Sequence, residues 1–227
     1  QKEEELMDMA KENLQSRRPS KDEAFAAKVQ EELHSFEKLH GLLLPALKEL
    51  FVPALGRDVV IEVQAAHRTL FGYYVQSLSK LCCSYTYKMK PLDGWVHLNL
   101  SIPLAVGLFD PDADEKAFAA EIETRWATPI GSSSWISPAE IQTANNIIRP
   151  LIKALEAAWK PVQQVDIRDV ELESIPAFIR STKPEAPAIH LVLALKAADR
   201  PGMTLEFCYP LETLAGPLPA LGQSTDG

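Results

Sequence analysis

The chain has 227 residues, of which 46% are hydrophobic, enough for one large domain or two small ones with a sizeable core and no need of covalent staples. Its 23 basic against 31 acidic residues, net −8, exclude a general nucleic-acid or anionic-membrane surface, because such binding depends on clustered Lys and Arg. Apolar runs such as Leu42-Leu43-Leu44 stop far short of the roughly 20 residues a membrane span requires, and the opening Gln1-Lys2-Glu3-Glu4-Glu5 lacks a signal-peptide pattern.

Residues 1–24 read as a charged, flexible leader, with Leu6, Met9 and Leu14 at loosely helical spacing before Ser16-Arg17-Arg18-Pro19-Ser20. A first core helix is expected from about Asp22 to Phe51, because Phe25, Val29, Leu33, Phe36, Leu39, Leu43, Leu47 and Leu50 recur every three or four positions. Pro45 predicts a kink or a break into two helices. Strands are expected at Val59–Val63 and Leu70–Leu78, and an antiparallel pair at Ser84–Met89 and Trp95–Ile102, turning at Pro91-Leu92-Asp93-Gly94. A short helix from Pro103 to Phe109 closes this half.

Residues 110–135 open on Asp110-Pro111-Asp112-Ala113-Asp114-Glu115, continue as a helix to about Trp126, and reach a Gly-Ser turn at Gly131–Ser134. Ser137-Pro138-Ala139-Glu140 then reads as a capping box opening a second long helix, with Ile141, Ala144, Ile148, Leu151, Leu155 and Ala158 on one face and Trp159 in the core. Further strands are expected at Gln164–Glu171, Ala177–Arg180, Ile189–Lys196 and Thr204–Tyr209, the last two joined by a turn at Asp199-Arg200-Pro201-Gly202. A closing helix or loop runs from Glu212 to Leu221, and residues 222–227 have the composition of a disordered tail.

One register relates the two halves. Val63, Phe71, Leu98, Pro103 and Leu104 recur as Val170, Phe178, Leu205, Pro210 and Leu211, each 107 positions on. Two half-units that each leave a sheet face or edge bare can cover one another. The register therefore predicts one pseudo-symmetric domain over 25–221, built from half-repeats 25–109 and 137–216 with an insertion at 110–135.

Several of these stretches resemble the middle domain of the flagellar motor switch protein FliM family. They are Leu70–Leu78, Met89-Lys90-Pro91-Leu92-Asp93-Gly94 with the strand to Ile102, Leu108-Phe109, the helix opened by Ser137 and Glu140 and ending Glu156-Ala157-Ala158-Trp159-Lys160-Pro161-Val162, and Phe207–Leu214. The resemblance spans about Phe25 to Leu221. It implies an α/β fold, a three-layer α/β/α sandwich with an internal pseudo-two-fold, shared with CheC-type phosphatases. It further implies a non-enzymatic, cofactor-free component of the flagellar rotor switch, cytoplasmic and peripheral at the basal body on the inner face of the membrane. The implied partners are a FliG-like rotor protein, a FliN-like protein, a phosphorylated CheY-type response regulator and neighbouring copies of itself.

The resemblance places the FliG contact after Leu108 and Phe109, where the family has Gly-Gly-x-Gly and this chain has Asp110, Pro111, Asp112 and Ala113. Trp126 and Trp135 in the insertion have two readings, as aromatic anchors of a partner surface or as loop aromatics that pack back on the domain. The response-regulator peptide of the family is matched loosely by Glu4, Glu5, Leu6 and Met9. The family continues into a FliN-like β domain where this sequence stops, which leaves a fragment and a divergent relative as the two readings.

The alternative is a CheC-like aspartyl-phosphate phosphatase or an inactive relative of one. Such enzymes carry Asp or Ser, three residues, Glu, two residues and Asn, so that carboxylate and amide reach the phosphate and its attacking water. The nearest match is Pro138-x3-Gln142-x2-Asn145, in which Gln142 cannot ionise. Ser132-Ser133-Ser134 lacks a nucleophile elbow, no phosphate-binding glycine loop is present, and the five histidines and three cysteines form no metal-ligand spacing, so no metal is expected. Cys82, Cys83 and Cys208 read as small strand hydrophobes.

Overall fold

The computed structural model describes residues 20–129, 135–179 and 182–218. Ser20 opens α1 (Lys21–Gly41) with a full capping box: its hydroxyl accepts from the Glu23 amide, and the Glu23 carboxylate accepts from the Ser20 amide. Residues 21–24, assigned above to the leader, are therefore helical. The long helix breaks at Leu42, and α2 (Leu44–Leu55) restarts with Pro45 in its first turn, where the missing amide costs no bond. Left-handed Gly56 (φ 63°) ends α2. The chain then forms β1 (Val60–Leu70), α3 (Phe71–Ser77), β2 (Cys83–Lys90), β3 (Val96–Leu100), α4 (Ile102–Phe109) and α5 (Glu115–Ala127). It continues with α6 (Pro138–Trp159), β4 (Asp166–Glu173), a 3-10 turn (Pro176–Phe178), β5 (Pro187–Lys196), β6 (Thr204–Pro210) and α7 (Leu211–Leu214).

Two segments differ from their expected state. Residues 71–77, read as strand, are helical: Phe71, Tyr74, Val75 and Leu78 are spaced three or four apart and meet one hydrophobic cluster, and that packing overrides the β-preference of their aromatic types. Residues 176–178 form the 3-10 turn where a strand at 177–180 was expected, led by Pro176 at its first position. Both helical pieces follow the first strand of their half. Phe71 is buried while its counterpart Phe178 is 61% exposed.

The sheet order is β1-β5-β6-β3-β2-β4, all antiparallel. Exchanging β1 with β4, β2 with β5 and β3 with β6 returns the same order reversed. At the central β3–β6 pairing Asn99 lies opposite Glu206, two positions related by the 107-residue register, and Leu98–Phe207 maps onto Leu100–Leu205. The internal two-fold therefore passes between Asn99 and Glu206.

Alternation sorts the strand side chains onto two faces. Tyr85, Tyr87, Leu98, Leu100, Leu191, Leu193, Leu205, Phe207 and Tyr209 point into the main core beneath the long helices. There Phe36 packs edge-on against Tyr209 and Trp159, at centroid distances of 4.9 and 6.2 Å. The second face is more polar, carrying Ser84, His97, Asn99, His190 and Glu206, and is covered at its centre by Phe71 and Tyr74 of α3. Each edge strand gives one amide to a helix carboxylate, Ala66 of β1 to Glu37 (3.0 Å) and Ile167 of β4 to Glu156 (2.9 Å), which removes one donor per edge that would template edge-to-edge pairing.

The β2–β3 turn needs glycine at Gly94. Its φ is +100°, and an added Cβ would collide with the Thr213 hydroxyl oxygen. Gly94→Ala is expected to destabilise the protein by about 1–3 kcal/mol, since backbone strain and the collision with buried Thr213 act together. Urea unfolding of the variant checks this, and an unchanged midpoint would refute it.

Candidate functional site

The inserted segment opens with a tightly held turn. Asp110 ends α4 by donating its amide to the Val106 carbonyl (3.0 Å), and its carboxylate accepts from the Ala113 amide (3.1 Å). Asp114 then caps α5 by accepting from the Ala117 amide (2.8 Å). Two arginines from elsewhere hold the backbone between them. Arg57, just past Gly56, donates to the Pro111 carbonyl and pairs with Asp199, and its guanidinium holds the Asp199 carboxyl below the usual range. Arg200, in the β5–β6 turn, donates to the carbonyls of Ala113 and Asp114 and lies 4.3 Å from the Phe118 ring centroid. Where a glycine-rich segment would be supple, this turn is clamped, and it presents Asp110 and Asp112 to solvent.

A third arginine ties the insertion to α6. Arg125 donates to Glu121 (2.6 Å), Glu140 (2.6 Å) and the Trp135 carbonyl (2.8 Å), and lies over the rings of Trp135 and Phe109. Burial alone would raise the Glu140 carboxyl, but the Arg125 guanidinium and the Ser137 cap more than offset it and hold it low. Glu140 thus closes the capping box read in the sequence and also anchors the insertion.

The expected partner residues fall in different places. Leu108 and Trp135 are core residues, 3% and 8% exposed, and the Trp135 indole donates to the Ser174 carbonyl (3.1 Å), so neither offers a side chain to a partner. An indole whose N–H finds an internal acceptor buries its large apolar face more favourably than it exposes it. Phe109 and Pro111 are half-buried, Asp110 and Asp112 are exposed, and Trp126 is 52% exposed. Glu4, Glu5, Leu6 and Met9 lie outside the described residues, as does the Gly131–Ser134 turn.

Trp126 borders an apolar groove of 380 Å³ between α5 and the tip of the β5–β6 hairpin. Phe118, Ala119, Ile122, Pro103 and Pro201 line it together with the exposed Glu115 and Glu123. Sequence reasoning found Trp126 but neither the groove nor the arginines that build the turn. Their only sequence signal is lone basic residues beside turn glycines, Gly56-Arg57 and Arg200-Pro201-Gly202.

The phosphatase residues are not assembled. Gln142 is exposed and donates to Asn146 (2.9 Å), while the Asn145 amide oxygen accepts from the Tyr85 hydroxyl (3.2 Å). On the first helix Glu32 pairs with Arg68, and Glu37 holds the β1 edge. Among the described residues no three His, Cys, Asp or Glu side chains are placed to hold a metal ion. All three cysteines are buried free thiols, and burial pushes the Cys82 thiol up to about 12. No helix among the described residues is long and apolar enough to cross a membrane.

A family model described as flagellar motor switch protein FliM matches residues 29–225. Among solved structures, the FliM middle domain from H. pylori superposes with a TM-score of 0.69 at 19% identity, covering 84% of this chain and 98% of that one. FliM in a FliG–FliM complex from H. pylori gives 0.67 at 20% identity, covering 83% and 98%. Thermotoga maritima FliY gives 0.64 at 10% identity, covering 86% and 98%. A search of curated protein sequences returns no match.

Proposed function

This chain belongs to the flagellar motor switch protein FliM family and is a component of the flagellar rotor switch; from that footing we propose that it binds a FliG-like rotor protein through the clamped turn at Asp110–Asp112. The observation that carries the proposal is the turn itself. Two arginines fix its backbone from below while its carboxylates face solvent, so an acidic surface is held in place before a partner arrives and little ordering is needed on binding. Further support comes from the H. pylori FliM solved together with FliG. The proposal includes a FliN-like protein and a phosphorylated CheY-type regulator as further partners, the latter through Glu4, Glu5, Leu6 and Met9. It also includes a location on the cytoplasmic face of the membrane at the basal body, and work done by binding without catalysis.

Asp112 is exposed and suits a charge-reversal test. Asp112→Lys is expected to weaken capture of a FliG-like protein about tenfold, mostly through slower association. Binding measured by surface plasmon resonance at two salt concentrations checks it. Unchanged affinity would remove the turn from the interface.

A further inference from the structure

The helix α1 carries its core-facing stripe past the end of the sheet it packs on. Leu33 and Phe36 are buried, Val29 one turn earlier is only partly covered, and Phe25 one turn before that is 64% exposed. From Lys21 to Gln30 nearly every side chain is exposed. Lys21 and Lys28 bracket Phe25 at four positions before and three after, on the same side of the helix. Of the acidic residues in this stretch, Glu23 is engaged in the capping box with Ser20 and Asp22 sits in the first turn, where the helix dipole favours it. The arm is therefore an apolar knob with ammonium groups on both sides.

The groove beside Trp126 has the opposite character, a largely apolar lining that includes the exposed carboxylates of Glu115 and Glu123. The arm cannot reach the groove of its own chain. Glu32 pairs with Arg68 and Glu37 with the Ala66 amide, so α1 runs back along β1 toward Leu70, which lies opposite Pro187 at the start of β5. The groove lies at Pro201 and Gly202, beyond Lys196 at the other end of that strand. Ten strand residues at ~3.3 Å each separate the two by about 30 Å, and the arm from Glu32 to Lys21 extends the far end by about 16 Å more.

We propose that the occupant of the groove is the α1 arm of a second copy of this chain, Phe25 and Val29 entering beside Trp126 while Lys21 and Lys28 meet Glu115 and Glu123. Knob and hole lie at opposite ends of the molecule, so the contact is head-to-tail and propagates from copy to copy into a ring or an open chain, unlike a two-fold dimer. Neighbouring copies are among the partners the family resemblance implies, and the proposal rests on that rotor reading; the contact between them is assigned here from the geometry. It is tested with no FliG-like protein present, so its failure is separable from failure of the Asp112→Lys test.

Sedimentation velocity of the native chain at rising concentration is expected to show dimers and longer species. Phe25→Ala is expected to weaken association about tenfold, with the thermal melt unchanged because the side chain is exposed. Lys21→Glu with Lys28→Glu makes arm and groove both acidic, and Glu115→Lys with Glu123→Lys makes both basic. Each double variant is expected to remain monomeric alone, and an equimolar mixture to assemble. Mixing Phe25→Cys chains with Trp126→Cys chains under mild oxidation is expected to give a disulfide-linked pair, since the native thiols are buried. A monomeric native chain, self-association of either charge variant at native strength, or Phe25→Cys chains linking to one another as readily as to Trp126→Cys would each overturn the proposal.

Discussion

Lowering the pH from about 7.5 to about 5 is expected to remove about 4 kcal/mol of folding stability, because two histidines are buried uncharged and each loses about 1.4 kcal/mol per unit below its ordinary value. His40 sits inside the main core, its Nδ1–H donating to the Phe36 carbonyl (2.9 Å) and its Nε2 accepting from the Tyr209 hydroxyl (2.9 Å). Desolvation there lowers its pKa to about 4, only partly opposed by the backbone bond. His97, on the second face of β3 under the Phe71 ring, is lowered by burial to about 3. In the unfolded chain both titrate near 6.5.

The sign follows from proton counting. Below 6.5 the unfolded chain binds a proton at each site and the native state does not, so the native state is fully favoured above that value. It loses ground as the pH falls toward the folded pKa values. Exposed His67, lowered by partial burial and by His190 beside it, acts in the same direction but is screened by solvent. Glu140, held below the ordinary carboxyl value of 4.5, becomes destabilising only at more acid pH and stays outside this window. Urea unfolding midpoints across the range check the prediction. His40→Leu is expected to be less stable at neutral pH, through loss of the Tyr209 bond, yet to show about half the pH dependence. A native protein equally stable at both pH values would refute it.

Arg200→Ala is expected to cost about 3 kcal/mol, combining charge-assisted bonds with the loss of a cation–ring contact. The guanidinium is almost wholly buried between Phe118 and the carbonyls of Ala113 and Asp114, and its removal strands both acceptors beneath the turn. Arg200→Lys should recover little, because one ammonium cannot reproduce a fork that spans two carbonyls. Chemical unfolding measures the loss. Hydrogen exchange should show faster exchange confined to the 110–118 amides, including that of Ala113, which is bonded to Asp110. Native stability in the variant, or exchange that spreads evenly over the domain, would show that Arg200 does not clamp the turn.

The sequence by itself determined the elements whose residues carry their own signal. The Ser137–Glu140 capping box, the α6 stripe and the break near Pro45 are local, since each depends on side chains and backbone within a few positions. The 107-residue register was legible for the same reason, and Asn99 opposite Glu206 is its direct structural expression. What only the tertiary structure decided is what one segment does when another lies on it. Residues 71–77 are helical because the second sheet face gives Phe71 and Tyr74 a surface to cover. Trp135 is buried because Ser174 supplies its acceptor, while Trp126, of the same residue type in the same insertion, stays exposed beside the groove. The clamped turn was illegible because its parts, Arg57, Asp110–Asp114 and Arg200, are far apart in sequence and meet only when the β5–β6 hairpin folds against the end of α2. Spacing along a chain reports neighbours within an element, and a site made by three separate turns has no spacing to report.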